Sequence, residues 1–367
     1  MKIGILRLNC GDFGKIGLYN VQEIGLARVL RDMGHKVQVL YLDKSIKESK
    51  ELSEDNVTYL PCKSIGVHGI LNLKRLEKYN LDVMILFADN QLWQKNVINW
   101  CKKHNIKCLC YIGRISTQAK SVINKLFYKY LMMKNKSALK NTINITKTTN
   151  AKSSLVKLGI PVYGVIPVGL DINLLYSGDI NKNNLRNELF IPKDKNILLF
   201  VGRFDNNKNP LFALKVLESL LIENSNYYMI MIGKGNLKEL VLKTIHDKEL
   251  SQSVKYVESV PNDEMYKYYA VSDCLINPCD SEIFGMVILE SMYYCCPIVA
   301  MKADGPLDII KDGVSGMLCD SYSLEEWKEK IKKAIGNTYI TNNSYNQIID
   351  KFNWSVCAKM FEKVMKE

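Results

Sequence analysis

Two glutamates eight residues apart offer the first chemistry in this chain: Glu282 and Glu290, in Pro278-Cys-Asp-Ser-Glu-Ile-Phe-Gly-Met-Val-Ile-Leu-Glu-Ser-Met292. Glu282 precedes a Phe284-Gly285 turn, and eight helical steps leave Glu290 only ~80° away around a helix, so both carboxylates would share a side. Phe284, Met286, Val287, Ile288 and Leu289 around them are apolar. Carboxylates in such company need partners, and a polyhydroxylated ligand supplies them. The amides of Gly285, Met286 and Val287 at the helix start would meet an anion. Eighty residues earlier, an apolar run ending at Val201 enters Gly202-Arg203-Phe-Asp-Asn-Asn-Lys208-Asn-Pro210. Arg203 and Lys208 on one strand-to-helix loop can reach both phosphates of a diphosphate, one as a fork and one as a point charge. Taken alone, the pair also fits an incidental basic loop. A third cluster, Gly11-Asp-Phe-Gly14-Lys-Ile-Gly17, follows the first apolar run. There the backbone can approach a phosphate, or the glycines serve a packed turn. With Asp43 ending the second apolar run, this half alone is compatible with a dinucleotide-binding dehydrogenase.

The elements that must position these residues alternate from the start. Apolar runs predict strands at 2–8, 36–41, 57–60, 83–87, 107–112, 142–146 and 162–166, with helices at 18–33, 92–104, 119–138 and 150–158. The stretch 171–196 is polar and broken. After it the pattern restarts, with strands at 197–201, 228–232, 254–257, 274–277 and 297–300. Helices are expected at 210–223, 236–248, 263–271, 285–294 and after Ser323. Strand–helix alternation implies parallel sheets covered on both faces. Two doubly wound α/β halves follow, with ligands expected at the carboxyl ends of the strands.

With 367 residues, the chain is long enough for two domains. Its 47% apolar and 24% charged content excludes a disordered or collagen-like chain. No apolar run reaches the ~18 residues of a spanning helix, and the charged start argues against a signal peptide, so a cytoplasmic protein is expected. Of eleven cysteines, Cys108, Cys110, Cys295 and Cys296 lie in apolar runs and read as reduced core thiols rather than a zinc site. The net charge is +12, yet residues 90–170 hold fourteen basic and no acidic side chains. Within that segment, 120–140 reads as a basic amphipathic helix, with Lys125, Lys129, Lys136 and Lys140 on one face and Ile123, Phe127, Tyr130 and Leu131 on another. It is either a core-packed helix with a solvated outer face or a surface held on anionic lipid. Nucleic acid is not expected, because no aromatic-interleaved or Arg-rich recognition pattern accompanies the lysines.

Taken together, Gly202-Arg203…Lys208, Glu282-x7-Glu290 with Phe284-Gly285, and Gly305-Pro-Leu-Asp308…Gly313…Gly316 resemble the donor half of glycosyltransferase family 4. The likeness extends to Gly34-His-Lys-Val37, Pro167-Val-Gly-Leu-Asp171 and Phe352-Asn-Trp354. It implies the GT-B fold, two Rossmann-like doubly wound domains facing a cleft. The N-terminal acceptor domain would be 1–172 plus a returning helix at about 350–367, and the donor domain 173–349.

The resemblance further implies a retaining transferase whose substrates are a nucleotide diphosphate sugar and a hydroxyl of a saccharide or lipid-linked acceptor. A surface-polysaccharide role and a hexose as the transferred sugar are the expectation. Arg203, Lys208 and Glu282 would be catalytic, the two cations on the leaving diphosphate and Glu282 facing the sugar. Glu290 would hold the ribose. Gly14, Gly17, Gly202, Val260, Phe284, Gly285, Met286 and Val287 would complete the donor site. No Asp-x-Asp motif is present, so no metal and no cofactor are expected. The acceptor-side His usual near the fifth strand is missing from Cys110-Tyr-Ile-Gly-Arg114-Ile115. Asp89, Asn90 and Arg114 are the acceptor-binding candidates. A GT-B nucleotide-sugar epimerase and a non-catalytic nucleotide-sugar sensor are the competing readings.

Overall fold

The computed structural model describes residues 1–10, 22–52, 54–113 and 121–367. Contacts divide the chain into Met1–Gly169 with Asn353–Glu367, and Leu170–Phe352. The boundary expected at 172/173 lies three residues inside the second unit.

In the first unit the strands are β1 (Lys2–Arg7), β2 (Lys36–Asp43), β3 (Lys50–Leu52), β4 (Val57–Ile65), β5 (His68–Leu71), β6 (Val83–Phe87), β7 (Lys107–Ile112), β8 (Ile143–Thr146) and β9 (Gly164–Val165). Helices α1 (Gln22–Asp32), α2 (Gln94–Lys103), α3 (Val122–Leu139) and α4 (Thr149–Lys157) lie between them. Among the described residues the sheet order is β3-β4-β2-β1-β6-β7-β8-β9, with β5 also on β4. All pairings are parallel except those of β3 and β5 with β4. These two antiparallel strands are not among those the apolar runs predict, and 50–52 is too short to carry an alternating pattern.

The second unit opens with α5 (Lys182–Glu188), inside the stretch expected to be linker. Its Arg186 is buried, and the guanidinium bonds Asp273 at 2.7 Å and the Val271 carbonyl at 2.9 Å. There follow β10 (Asn196–Val201), α6 (Pro210–Glu223), β11 (Tyr227–Ile232), α7 (Lys238–Asp247), β12 (Val254–Val257), α8 (Met265–Val271), β13 (Cys274–Asn277), α9 (Met286–Tyr293), β14 (Ile298–Met301), α10 (Asp304–Ile309), β15 (Met317–Cys319), α11 (Leu324–Ala334) and α12 (Thr338–Asp350). The strands form one parallel sheet, β12-β11-β10-β13-β14-β15. Phe200, Phe204, Leu217, Met231 and Trp327 fill the core on one of its faces.

The last helix, α13 (Trp354–Lys366), belongs to the first unit. Trp354 lies over Gly25 of α1 so closely that a β-carbon there would sit 2.3 Å from the indole nitrogen. Lys107 donates to the Met365 carbonyl at 2.9 Å, and Phe361 meets Tyr111 edge-on at 5.1 Å.

Two expectations about side chains are corrected. Cys295 is exposed, not a core thiol, while Cys108, Cys110 and Cys296 are buried. The apolar face expected of the basic helix is divided: Leu131 is buried, but Ile123 and Tyr130 are exposed.

Candidate active site

In each sheet the chain leaves a central strand in opposite directions, and at that switch the loops diverge to open a crevice at the carboxyl edge. In the second unit the switch lies between β10 and β13. The loop after β10 carries Gly202, Arg203 and Lys208, and the loop after β13 carries Glu282. Topology thus brings together residues 74 positions apart, and Lys208 Nζ bonds Glu282 Oε2 at 2.5 Å.

Local structure fixes each partner. The Lys208 and Asn209 amides bond the Asp205 carbonyl, each at 3.2 Å. Asn209 in left-handed conformation and Pro210 at the first turn then start α6. The Lys208 stem passes over Gly202, its Cδ 3.7 Å from where a β-carbon would be. Burial alone would lower the pKa of the Lys208 ammonium, but the Glu282 carboxylate more than offsets this and raises it. Arg203 is more open, with 65% of its side chain exposed, and it meets Asp205 Oδ2 at 3.0 Å. Both cations are therefore held by acids that an incoming anion could replace.

Glycines make room around this loop. Gly233, after β11, has φ +149°, and a β-carbon there would lie 1.9 Å from the Gly202 carbonyl oxygen. A β-carbon at Gly235 would lie 2.4 Å from the Phe204 carbonyl oxygen. The Gly233-Lys234-Gly235 tract was missed in the sequence, although two glycines directly after a strand were a legible signal.

The helical-phase argument for Glu282 and Glu290 does not hold. Gly285 adopts φ +99° and α9 begins only at Met286, so Glu282 lies in the turn before it. No side chain caps α9, so the Met286 and Val287 amides point outward from its start. Phe284 is buried and faces Phe352 edge-on at 6.4 Å. Glu290 is 6% exposed and accepts a 2.6 Å hydrogen bond from the Tyr269 hydroxyl. Burial pushes the Glu290 carboxyl well above the usual carboxylate range. Tyr269 was another residue the sequence reading missed. Val260 follows Glu258 and Ser259 beyond β12 and is half-buried, while Lys238 reaches back to Glu258 at 2.8 Å.

The first unit gathers charge at its own switch, between β1 and β6. Arg7 Nε bonds Glu23 at 2.9 Å, and Asp89 Oδ1 accepts from the Gly113 amide at 2.7 Å. Lys147 donates to Gln22 Oε1 at 3.0 Å. Of the acceptor candidates, Asn90 is corrected: it is 1% exposed, donates to the Tyr128 carbonyl and accepts from Asn135, so it anchors α3. His68 is buried on β5 and its Nδ1 meets Gln91 at 2.8 Å. Gly14, Gly17 and Arg114 lie outside the described residues. Among the described residues, no cluster of three His, Cys, Asp or Glu could hold a metal ion.

Residues 181–351 match the family of glycosyl transferases group 1. That match lies within the second unit and leaves the first unit outside it. An uncharacterized glycosyltransferase of Methanocaldococcus jannaschii is 25% identical over 214 residues, 57% of this chain and 54% of that protein. A Salmonella typhimurium lipopolysaccharide 1,2-N-acetylglucosaminetransferase is 27% identical over 197 residues, 50% of this chain and 52% of that protein. The alignment thus spans about half the length of these curated relatives. The Anabaena protein HepE, solved with UDP, superposes with TM-score 0.76 at 17% identity, covering 100% of both chains. The chain has the GT-B fold.

Proposed function

We propose that this protein is a retaining, metal-independent glycosyltransferase that moves a sugar from a nucleoside diphosphate sugar to a hydroxyl of a saccharide or lipid-linked acceptor. The observation that carries this reading is the Lys208–Glu282 pair, which joins the loops leaving β10 and β13 at the switch point. A diphosphate entering there replaces Glu282 on Lys208 and Asp205 on Arg203. The carboxylate of Glu282, released from its lysine, turns to the hydroxyls of the sugar. As the glycosidic bond breaks, negative charge grows on the leaving diphosphate, and Lys208 and Arg203 stabilise it without a metal ion. The Met286 and Val287 amides add partial positive charge, and Glu290 holds the ribose hydroxyls. In a retaining reaction, the leaving diphosphate oxygen takes the proton of the incoming hydroxyl on the same face.

Asp89 is the acceptor-facing carboxylate in this reading. The acceptor is membrane-borne, in surface-glycan synthesis, with the enzyme peripheral on the cytoplasmic face. Support comes from α3, where Val122, Ile123, Leu126, Tyr130 and Met133 are all more than half exposed beside the exposed Lys125 and Lys129. Such a face suits the boundary of an anionic bilayer, each lysine adding ~1 kcal/mol. No helix among the described residues is long and apolar enough to cross a membrane.

The test incubates the protein with UDP-, GDP- and ADP-sugars, membrane lipid extract and EDTA. Release of nucleoside diphosphate with a product keeping the donor's anomeric configuration is expected. Inversion, or activity regained only on adding Mg²⁺, would overturn the corresponding part. In a flotation assay with phosphatidylglycerol vesicles, Lys125→Gln/Lys129→Gln together with Leu126→Gln should release the protein while donor binding persists.

A further inference from the structure

The second glutamate of the site is gripped from a neighbouring helix. Tyr269, on α8, is 1% exposed, and its hydroxyl donates to Glu290 Oε2 on α9 at 2.6 Å. The ring cannot drift: it stacks on Tyr294 at 6.0 Å between centres with an 8° interplanar angle. Tyr294 in turn meets Tyr293 at 5.1 Å and Tyr266 at 6.3 Å. Burial pushes the Tyr269 phenol well above its ordinary pKa, so it keeps its proton and acts as donor.

A glutamate side chain has three torsions, and its terminal torsion is broad, so a carboxylate held only by packing presents its oxygens over a wide arc. A hydrogen bond from a rigid phenol removes that freedom. It sets the carboxylate plane before any ligand arrives, and a vicinal diol, whose two hydroxyls need a defined spacing, gains most from such preorganisation.

We propose that Tyr269 is a positioning residue: it fixes the Glu290 carboxylate for the ribose diol and makes the site select ribo- over 2′-deoxyribonucleoside diphosphates. The proposal rests on the reading of Glu290 as the ribose-holding group. Tyr269 itself touches no ligand in this scheme, and its effect passes entirely through Glu290.

Calorimetric titration of UDP, GDP and ADP, each against its 2′-deoxy counterpart, tests both steps on the full chain, Tyr269→Phe and Glu290→Ala. The wild type should prefer the ribonucleotide at least tenfold, about 1.4 kcal/mol. Tyr269→Phe keeps the ring and its stacking, so it should weaken the ribonucleotide several-fold and leave the 2′-deoxy compound unchanged. Glu290→Ala should erase the preference. Because the preference is a ratio within one variant, a general loosening of the fold lowers both affinities alike and cannot mimic the result. If Tyr269→Phe keeps the full preference, or weakens both nucleotides equally, while Glu290→Ala erases it, the positioning role is overturned and the ribose reading stands. If the wild type shows no preference, or Glu290→Ala retains it, the ribose reading itself fails.

Discussion

Lys208 and Lys147 both stand beyond the carboxyl ends of parallel strands, one in each unit, and their surroundings treat the same ammonium in opposite ways. Lys208 faces the Glu282 carboxylate, and its pKa is raised despite burial. Lys147 is 5% exposed, with its Nζ 4.9 Å from the ring centres of both Phe87 and Tyr111. Burial lowers its pKa, Asp89 opposes that, Arg7 adds to it and Glu23 opposes again. The difference lies in what can be exchanged. Glu282 sits on a loop with 12% of its side chain exposed, so a ligand's anion can take its place. Phe87 and Tyr111 are core residues of β6 and β7, and no ligand displaces them. A cation held by a replaceable acid is built to grip; a cation held by fixed rings is built to stay.

The largest effect that could break this contrast is on turnover. Lys208→Met should lower kcat by ~10²–10³, the scale for removing a group that stabilises developing charge. Lys147→Met should leave kcat within about one order of magnitude, the scale of an indirect packing change rather than of a lost catalytic donor. Steady-state release of nucleoside diphosphate measures both, and equal losses would abolish the distinction. A smaller effect concerns affinity. Because Glu282 competes with the ligand for Lys208, Glu282→Gln should lower turnover yet tighten binding of free UDP roughly fivefold, ~1 kcal/mol for a partly exposed pair. Weaker UDP binding in that variant would mean that Glu282 assists the diphosphate instead of competing with it.

The sequence made the strands of both sheets legible wherever an apolar run stood between turn residues. Val83–Phe87, Lys107–Ile112, Val254–Val257 and Cys274–Asn277 carry the bounds expected of them. It also made Lys208 and Glu282 legible, because an Arg/Lys loop and a Glu before a Phe-Gly turn are unusual in otherwise apolar surroundings. Pairings between distant positions were not legible. Tyr269 lies 21 residues before Glu290, and a tyrosine in an apolar helix reads as core until the helix opposite is known. Lys147 was one of fourteen basic residues in an acid-free segment, and its burial depends on the absence of a side chain at Gly113. A β-carbon there would lie 3.0 Å from Lys147 Cδ and 3.4 Å from Asp89 Oδ1. Arg186 misled in the other direction, since a buried arginine within a polar stretch disguised a helix as a linker.

The finest test of the contrast is the pH dependence of stability. A lysine whose folded pKa is lowered holds its proton less well in the native state than in the unfolded chain. Between its folded pKa and the unfolded value near 10.5, the unfolded chain therefore binds more protons, and stability rises with pH. The charged groups facing Lys147 are Asp89, Arg7 and Glu23. Lys208, whose pKa is raised, has the opposite sign: its contribution is complete below 10.5 and is lost as pH climbs past its folded value. Urea unfolding followed from pH 8 to 10 should thus show a rising contribution in the wild type that disappears in Lys147→Met and persists in Lys208→Met. Lys147→Met is expected to be less stable throughout, because Asp89 loses a nearby cation, but its pH slope is flatter. A slope unchanged by Lys147→Met would show that the rings and Asp89 hold this ammonium as firmly as Glu282 holds the other.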